Sequence, residues 1–211
     1  MGNIGIIGRA RVGKDTVGQW LVENRGYRRI AFADPLKEAA LRLDPITDHR
    51  DDEVWDIVYG EWELVQADTV PVRLSTVVAD LGWERAKEAS EVRRILQELG
   101  ASIRAIDEDF WLRAAMARVQ EANEQGVPAV ITDVRYPNEA ASLRRAGVHL
   151  VYVDRHDVPH LDHESEGALT AADADHFVHN AGDVAELHLK ISAIYDHVER
   201  VESRRHASRV Y

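Results

Sequence analysis

The sequence predicts an α/β fold in three layers, with a mainly parallel central sheet flanked by helices and interrupted by a helical insertion. Two short apolar runs, 3–7 and 129–134, have the near-continuous hydrophobicity of strands that a parallel sheet buries on both faces. Predicted strands alternate with predicted helices along most of the chain, which is typical of α/β proteins. A glycine-rich loop at 8–16 joins the first strand directly to the first helix.

Helix boundary signals define the amino-terminal elements. Gly26 is the predicted C-terminal cap of the first helix. Asp34 is the predicted N-cap of the second helix, and Pro35 occupies its first position. The predicted elements of this part are a strand at 3–7, a helix from about Asp15 to Arg25, a strand at 28–33 and a helix at 34–43.

Residues 44–89 interrupt the alternation of strands and helices. The segment is acidic around 48–53 and contains Trp55, Trp62 and Trp83. We interpret these tryptophans as a small core or a dimer surface rather than as platforms that stack on a base. We predict that the segment is a mostly helical insertion in a single domain that spans 1–211.

The carboxyl-terminal half resumes the alternation. Ser90 is the predicted cap of one helix, Gly126 ends the next, and the last helix begins near Asp183. The predicted elements are helices at 90–106 and 107–126, a strand at 129–134, a helix at 137–147, a strand at 148–154, a loop rich in His and Asp at 154–165, a short strand at 176–180 and the final helix.

Composition narrows the classes of function. The formal net charge of −11 argues against non-specific binding to nucleic acid, which requires a basic surface. No apolar run approaches the roughly 20 residues that cross a bilayer, and the first residues lack the layout of a signal peptide. The chain has no cysteine, which excludes disulfides and thiolate metal sites. We therefore expect a cytoplasmic protein with neither a nucleic-acid nor a membrane partner.

Gly8, Gly13 and Lys14 have the GxxxxGK spacing of a phosphate-binding loop, and they lie between a strand and a helix as that motif requires. Backbone N–H groups and the positive end of the helix would face the phosphates of a nucleotide. Lys14 would neutralise the β- and γ-oxygens. The alternative is a structural glycine turn, and the strand–loop–helix context favours nucleotide binding.

The residues around this loop suggest a Mg²⁺ site. The usual motif has a hydroxyl residue after the lysine, whereas here Asp15 follows and Thr16 supplies the hydroxyl one position later. Two roles stay open for Asp15: it binds the metal, directly or through water, or it caps the helix. Asp133, at the carboxyl edge of the sheet, would be the second acid of the site. The alternative is that Asp133 caps the following helix.

Among phosphate-loop proteins, a small-molecule kinase fits the sequence best. A GTPase would carry an NKxD motif and a DxxG after the second acidic strand, but the chain has NAGD at 180–183 and DVRY at 133–136. Motor, transporter and recombinase ATPases are usually longer and often carry a basic surface for DNA. A kinase of about 200 residues would use the arginines that are spread along this chain.

Eight ordered stretches span most of the chain. They are GRARVGKDT at 8–16, AFADPLKEA at 31–39, RLSTVVADLGW at 73–83, EVRRILQELG at 91–100, DFW at 109–111, VITDVRYPNEA at 130–140, HESEGAL at 163–169 and NAGDVAEL at 180–187. Together they resemble the bacteriophage deoxynucleoside monophosphate kinases, which have a P-loop nucleotide kinase fold, and most closely the enzymes of phages that infect actinobacteria. The GKDT form of the loop is typical of that family.

The resemblance implies transfer of the γ-phosphate of ATP to a deoxynucleoside 5′-monophosphate. It also implies Mg²⁺ as cofactor, ATP as co-substrate, a homodimer, and action in the host cytoplasm. By the same likeness the segment at 32–37 lines the acceptor site, the insertion at 44–89 covers it, and the loop at 154–170 is lid-like. From the residues alone, Asp34 would be a cap and Lys37 a solvated side chain.

The resemblance assigns residues to each substrate. Expected acceptor-binding residues are Asp34, Lys37, Arg73, Arg93, Arg94, Gln97 and Arg135. Expected ATP-binding residues are Arg11, Gly13, Lys14, Asp15, Thr16, Arg155, Asn180 and Ala181. Expected catalytic residues are Lys14, Asp15, Arg94, Asp133 and Arg135, and expected Mg²⁺ ligands are Asp15, Thr16 and Asp133, directly or through water.

Some of these assignments have plain alternatives. Arg93 and Arg104 share a helix face with Gln97, and a charged helix face is more often solvated than catalytic. The four phosphates of the two substrates favour a phosphate clamp, with Arg94 the strongest candidate and Arg73 the next.

The histidine-rich loop and the class of function also have alternatives. His156, His160 and His163 could bind a metal with Asp157 or Asp162, although we interpret this loop as solvated and acidic. Two other functions remain open: a kinase for another phosphorylated acceptor, such as dephospho-coenzyme A, and a nucleotide-binding regulator without transferase activity.

Overall fold

The structure is a computed structural model, and it describes residues 2–59, 61–158 and 167–208. The chain divides into two compact units, one comprising Met1–Ala33 and Leu112–Tyr211 and the other Asp34–Trp111. In chain order the elements are β1 (Ile4–Ile7), α1 (Lys14–Arg25), β2 (Arg28–Ile30), α2 (Ala33–Leu43), β3 (Ile46–Val58), β4 (Glu61–Arg73), α3 (Leu74–Ala86), α4 (Ser90–Ile106), α5 (Phe110–Glu124), β5 (Ala129–Val134), α6 (Pro137–Arg145), β6 (His149–Asp154), β7 (His176–His179) and α7 (Val184–Ala207).

The first unit contains a five-stranded sheet in the order β2-β5-β1-β6-β7, and every neighbouring pair in it is parallel. This confirms the predicted α/β fold with a parallel central sheet. The strand β1 lies at the centre; the chain passes from β1 to β2 on one side of it, and later crosses from β5 to β6 on the other side. In open α/β sheets such a point, at the carboxyl ends of the strands, is where ligands bind.

The sheet separates two apolar cores, which gives the three layers. On one face Ile4 and Ile6 of β1 pack with residues of α1 and α7, including Leu21 and Ile191. On the other face Ile7 packs with residues of α5 and α6. The alternation of side chains along β1 therefore serves both cores, as expected for a strand that is buried on both sides.

The helix ends confirm some of the predicted caps and correct others. Gly26 has a φ of 69° and its N–H bonds the Val22 carbonyl at the end of α1, as predicted. The last helix begins near Asp183, as predicted, and the Asp183 carboxylate caps α7 by accepting from the Glu186 N–H. The prediction for Ser90 was wrong, because the N-cap is the preceding residue. The helix α2 already begins one residue before Asp34, which therefore lies in its first turn and is not the N-cap.

The predicted helical insertion is wrong for residues 46–73. These residues form a two-stranded antiparallel hairpin, β3 and β4. The reason is a two-residue alternation that aligns apolar residues across the strands: Trp55 is opposite Leu64, and Ile57 is opposite Trp62. The β-branched residues of both strands favour this conformation over a helix.

The second unit has a small apolar core of its own beyond the hairpin. Ala40, Leu74, Ala86 and Val92 are buried together, and Trp83 packs against them. The prediction of a small core thus holds for Trp83. Trp55 and Trp62 of the hairpin are 51% and 69% exposed and do not belong to this core, so for them the dimer surface stays the prediction. None of the helices within the described residues is long and apolar enough to cross a bilayer.

Candidate active site

The phosphate loop, residues 8–16, follows the central strand β1 and continues into α1. Its conformation depends on two glycines. Gly8 has a φ of 150°, and a side chain there would collide with the Val153 carbonyl. Gly13 has a φ of 105°, and a Cβ atom there would lie 2.7 Å from Nδ2 of Asn180. The loop therefore lies closely against the ends of β6 and β7.

Lys14 is buried inside the loop. The residue is 9% exposed, and its Nζ donates a hydrogen bond to the carbonyl of Arg9. It is also the first residue of α1, where the free N–H groups and the dipole of the helix add positive potential. An ammonium and a helix N-terminus at one place suit the phosphates of a nucleotide, which is what the motif predicts.

Two side chains stabilise the conformation of the loop through hydrogen bonds. Asn180, 6% exposed, donates from Nδ2 to the Val12 carbonyl at 2.9 Å. Arg9 donates to the Arg155 carbonyl at 3.0 Å and lies 3.5 Å from Oδ1 of Asp154. Arg9 could not be predicted from the sequence, because it occupies a variable position of the motif and its partners are far away in the chain. Asn180 was expected near ATP, and its side chain holds the loop.

Asp15 and Thr16 lie in the first turn of α1, next to the loop. The Asp15 side chain is exposed, and no hydrogen bond or ion pair joins its carboxylate to another of the described residues. The helix cap is Gly13, so Asp15 makes no side-chain capping bond, although a negative charge in the first turn still favours the helix dipole. A carboxylate and a hydroxyl at this position are oxygen donors of the kind that Mg²⁺ prefers.

Asp133 has a structural role that the sequence did not predict. Its Oδ1 accepts from the Phe32 N–H at 2.8 Å, and its Oδ2 accepts from the Ala33 N–H at 3.1 Å. The carboxylate thus caps the chain where α2 begins, and not the following helix α6. In α6 the Glu139 carboxylate accepts from the backbone of Arg135 instead. A role of Asp133 in binding Mg²⁺ stays a prediction, and it would have to share these oxygens.

Three further arginines of the first unit were expected to contact substrates. Arg135 is exposed and lines, together with Gly8, a cavity of about 10 Å³ at the carboxyl edge of the sheet, so it lies beside the loop. Arg155 makes a two-point ion pair with Asp157, at 2.9 and 3.1 Å, and this partner raises the pKa of the guanidinium. Arg11 is exposed in the loop, with a φ of 64°. Ala181 is exposed as well, in the turn before α7.

Two of the expected acceptor-binding residues of the second unit already have partners within it. Lys37 places its Nζ 5.6 Å from the centre of the Trp83 ring, a cation–π distance. Arg73 donates to the Asp44 carbonyl at 2.8 Å. The Asp44 carboxylate in turn accepts from the Ser75 N–H, which lowers the pKa of Asp44. Asp34, in the first turn of α2, is half-buried.

The arginines of α4 lie on an exposed helix face and do not form a preformed phosphate clamp within the described residues. Arg94 forms ion pairs with Glu91 and Glu98 on its own helix, and both partners raise its pKa. Arg93 and Gln97 are exposed on the same helix. Exposed ion pairs are weak, so a phosphate could displace the glutamates. The assignment of Arg94 as the strongest phosphate ligand stays a prediction.

Part of the histidine-rich loop lies outside the described residues. The structure describes His156 and Asp157, whereas His160, Asp162 and His163 are among residues 159–166, which it does not describe. The predicted lid at 154–170 is therefore described only at its two ends.

A protein-family model agrees with the phosphate-loop geometry. The model described as "Deoxynucleotide monophosphate kinase" matches residues 60–191, well over half of the chain. The chain belongs to this family. It is accordingly a kinase and a nucleotide-binding phosphotransferase.

The chain is similar to a viral protein in sequence and to two solved structures. A protein of Acanthamoeba polyphaga mimivirus, named "Putative deoxynucleotide monophosphate kinase", is 26% identical over 205 residues, which cover 94% of this chain and 98% of that protein. A dephospho-CoA kinase from Campylobacter jejuni is similar in structure, with a TM-score of 0.49, 11% identity, and coverage of 96% of this chain and 100% of that one. A shikimate kinase from Aquifex aeolicus has a TM-score of 0.39 at 12% identity, and the match covers 93% and 96% of the two chains.

Both TM-scores are below 0.5, so these two structures carry no argument about the chain. The P-loop kinase fold is evident from the order of the parallel strands and from the loop that follows β1. The loop supplies a buried ammonium, backbone donors and a helix N-terminus, which together suit the triphosphate of a donor nucleotide. Asp15 and Thr16 place a carboxylate and a hydroxyl at its end. These are the parts that a phosphoryl-transfer enzyme needs on its donor side.

Proposed function

We propose that the protein transfers the γ-phosphate of ATP to a deoxynucleoside 5′-monophosphate, giving ADP and the deoxynucleoside diphosphate for phage DNA synthesis. The observation that carries the proposal is the buried Lys14 in a braced phosphate loop, in a chain that matches the deoxynucleotide monophosphate kinase family over residues 60–191. The 26% identity to the viral relative supports the same acceptor class.

The reaction replaces one P–O bond by another. An oxygen of the acceptor's α-phosphate attacks the γ-phosphorus, and the bond from that phosphorus to the β,γ-bridging oxygen breaks. The electron pair of that bond leaves with ADP. An acceptor phosphate is already a nucleophile near neutral pH, so no general base is needed. The protein contributes positioning and positive charge, which is how phosphoryl transfer is generally catalysed.

The residues of the loop fit the donor side of this reaction. Lys14, backbone N–H groups of the loop and the start of α1 would hold the β- and γ-phosphates. Asn180 and Arg9 keep the loop in shape, so the donors are in place before ATP arrives. This preorganisation avoids the cost of arranging charges during the reaction.

Mg²⁺ fits the oxygen donors that the structure offers at this place. The exposed carboxylate of Asp15 and the hydroxyl of Thr16 would hold it, directly or through water, with Asp133 as a more distant candidate. When bound, the ion would supply positive charge that offsets the charge of the β- and γ-oxygens.

The acceptor side rests on more exposed residues. We assign Arg135, beside Gly8, to the acceptor or to the transferred group. In the second unit we retain Asp34, Lys37, Arg73, Arg93, Arg94 and Gln97 as acceptor-binding residues. Guanidinium groups suit this role because their planar forks match phosphate oxygens.

The setting of the enzyme follows from the same proposal. We propose that it is a homodimer in the cytoplasm of the host cell and that it acts on free nucleotides. The net charge of −11 supports a free anionic substrate bound by local donors over a nucleic-acid partner, which would need a basic surface.

A panel of acceptors tests the proposal. Purified protein is incubated with Mg·ATP and each deoxynucleoside monophosphate, with the ribonucleotides, dephospho-coenzyme A and no acceptor as controls, and the products are separated by ion-exchange chromatography. We expect ADP and a deoxynucleoside diphosphate in equal amounts. Phosphorylation of dephospho-coenzyme A alone would point to the other kinase class, and ATP binding without any product would point to a regulator. Either outcome refutes the proposal.

A further inference from the structure

Three side chains of the kinds that bind metal ions lie close together where β6 and β7 end, beside the phosphate loop. In the parallel register of these strands Asp154 is paired with His179. His156 follows two residues after Asp154. One ligand atom from each of the three residues lies within 4.8 Å of the others. Two of the three therefore lie on paired strands of the sheet, which position side chains more precisely than a loop does.

The distances are close to those of a bound ion. Oδ2 of Asp154 lies 3.2 Å from Nδ1 of His156 and 3.8 Å from Nδ1 of His179. Zinc binds imidazole nitrogen and carboxylate oxygen at about 2.0–2.2 Å, so neighbouring ligands of one ion are about 3.0–3.5 Å apart. The 3.2 Å separation lies within this range, the 3.8 Å separation is slightly above it, and the two histidine nitrogens are at most 4.8 Å apart, so adjustments below about 1 Å at each side chain would close the site.

The ligand set selects the type of ion. Mg²⁺ prefers oxygen ligands and binds imidazole poorly, whereas Zn²⁺ and similar transition ions are commonly bound by histidine. We propose that Asp154, His156 and His179 bind a transition-metal ion, Zn²⁺ by preference, at a site distinct from the Mg²⁺ that accompanies ATP. Three protein ligands would leave one position of a tetrahedral ion to water.

Asp154 of this site also interacts with Arg9, one of the two side chains that hold the phosphate loop in place. The other oxygen of Asp154 faces the guanidinium of Arg9 at 3.5 Å, and the carboxylate is only 14% exposed. A positive charge so near must oppose the binding of a cation. Removing that charge should therefore increase the affinity for the metal ion, an effect that a loosely attached surface ion would not show.

Binding is measured on the nucleotide-free full chain, so the result is independent of the proposed kinase activity. Zn²⁺ is titrated by isothermal calorimetry in the presence of excess Mg²⁺, and Co²⁺ is used as a spectroscopic substitute whose visible absorption reports its ligands. We expect one high-affinity Zn²⁺ per chain that excess Mg²⁺ does not displace. The absence of such binding by the wild type overturns the proposal.

Variants locate the ion. His179→Ala and Asp154→Asn should each weaken the binding of Zn²⁺ by more than about tenfold. Removing a group that only hydrogen-bonds to a metal ligand already lowers metal affinity by about 10–100-fold. His206→Ala, an exposed histidine of α7, is the matched control and should bind as the wild type does. Arg9→Leu should bind more tightly. Circular dichroism confirms that each variant is folded.

Two outcomes of the variant series contradict the assignment. Unchanged affinity in both His179→Ala and Asp154→Asn would show that the ion lies elsewhere. Loss of the ion in His160→Ala or His163→Ala, with retention in His179→Ala, would place it on the segment at 159–166.

Discussion

The carboxylate of Asp133 should stabilise the fold even when no nucleotide or metal is present. It accepts two backbone hydrogen bonds, from Phe32 at 2.8 Å and from Ala33 at 3.1 Å. In Asp133→Asn one of these is retained as a neutral bond, while the amide group turns a donor towards the other N–H. A hydrogen bond to a charged group contributes about 1.5–3 kcal/mol. We therefore expect the free energy of unfolding to fall by about 2 kcal/mol, or the Tm by about 4–8 °C in a chain of this length.

Urea unfolding of Asp133→Asn, followed by circular dichroism without Mg²⁺ and ATP, measures this loss. The matched control is Asp196→Asn on α7, an exposed carboxylate whose replacement should change stability by less than about 0.5 kcal/mol. If the two variants are equally stable, the capping role is refuted. A Mg²⁺-dependent loss of ATP binding with unchanged stability would instead assign Asp133 to the metal.

Three other predictions concern the loop and the sheet. Lys14→Met should lower kcat for phosphoryl transfer by about 10²–10³-fold, as loss of one preorganised donor does, whereas Lys87→Met on the second unit should leave it unchanged. Asn180→Ala leaves the buried Val12 carbonyl unpaired and should cost about 1–3 kcal/mol of stability by urea unfolding, against little change in the exposed Asn24→Ala. Burial, aided by neighbouring histidines, holds the pKa of His176 below its ordinary 6.5. The unfolded chain therefore binds the proton first, and stability should fall below about pH 6.5 by at most about 1.4 kcal/mol per pH unit, a slope that His176→Gln removes in urea unfolding at several pH values.

Local signals explain what the sequence predicted well. The loop between β1 and α1 is a continuous stretch in which glycine spacing, lysine and helix start all lie within a few residues, so its geometry follows from neighbours in the chain. Gly26, a predicted cap, and Asp183, where the last helix was predicted to begin, likewise have partners three or four residues away. The parallel sheet followed from apolar runs that only a doubly covered strand can bury.

The hairpin was not predicted, because acidic residues are numerous in both strands and obscure the alternation of the apolar residues. Two apolar residues stand two positions apart on each strand, Trp55 and Ile57 on β3 and Trp62 and Leu64 on β4. This spacing is typical of a β-strand. Their exposure makes the pattern hard to interpret, since the apolar residues do not mark a buried face. Strand formation here depends on cross-strand pairing, which a single segment does not contain.

The supporting residues of the candidate site could not be predicted because their partners are far apart in sequence. Arg9 reaches the carbonyl after β6, Asn180 reaches the loop after β1, and Asp133 reaches the start of α2. Each contact depends on the strand order β2-β5-β1-β6-β7. The sequence indicates parallel strands but does not order them, so it predicted the phosphate loop without the side chains that hold that loop in place.

The most direct test of the central claim follows the transferred phosphate. ATP labelled with radioactive phosphorus in the γ position is mixed with excess enzyme, Mg²⁺ and a deoxynucleoside monophosphate, and the products of one turnover are resolved by thin-layer chromatography. We expect the label in the β-phosphate of the deoxynucleoside diphosphate, and we expect Lys14→Met to form this product about 10²–10³-fold more slowly. Label that stays in ATP, or that appears only as inorganic phosphate, would contradict the account.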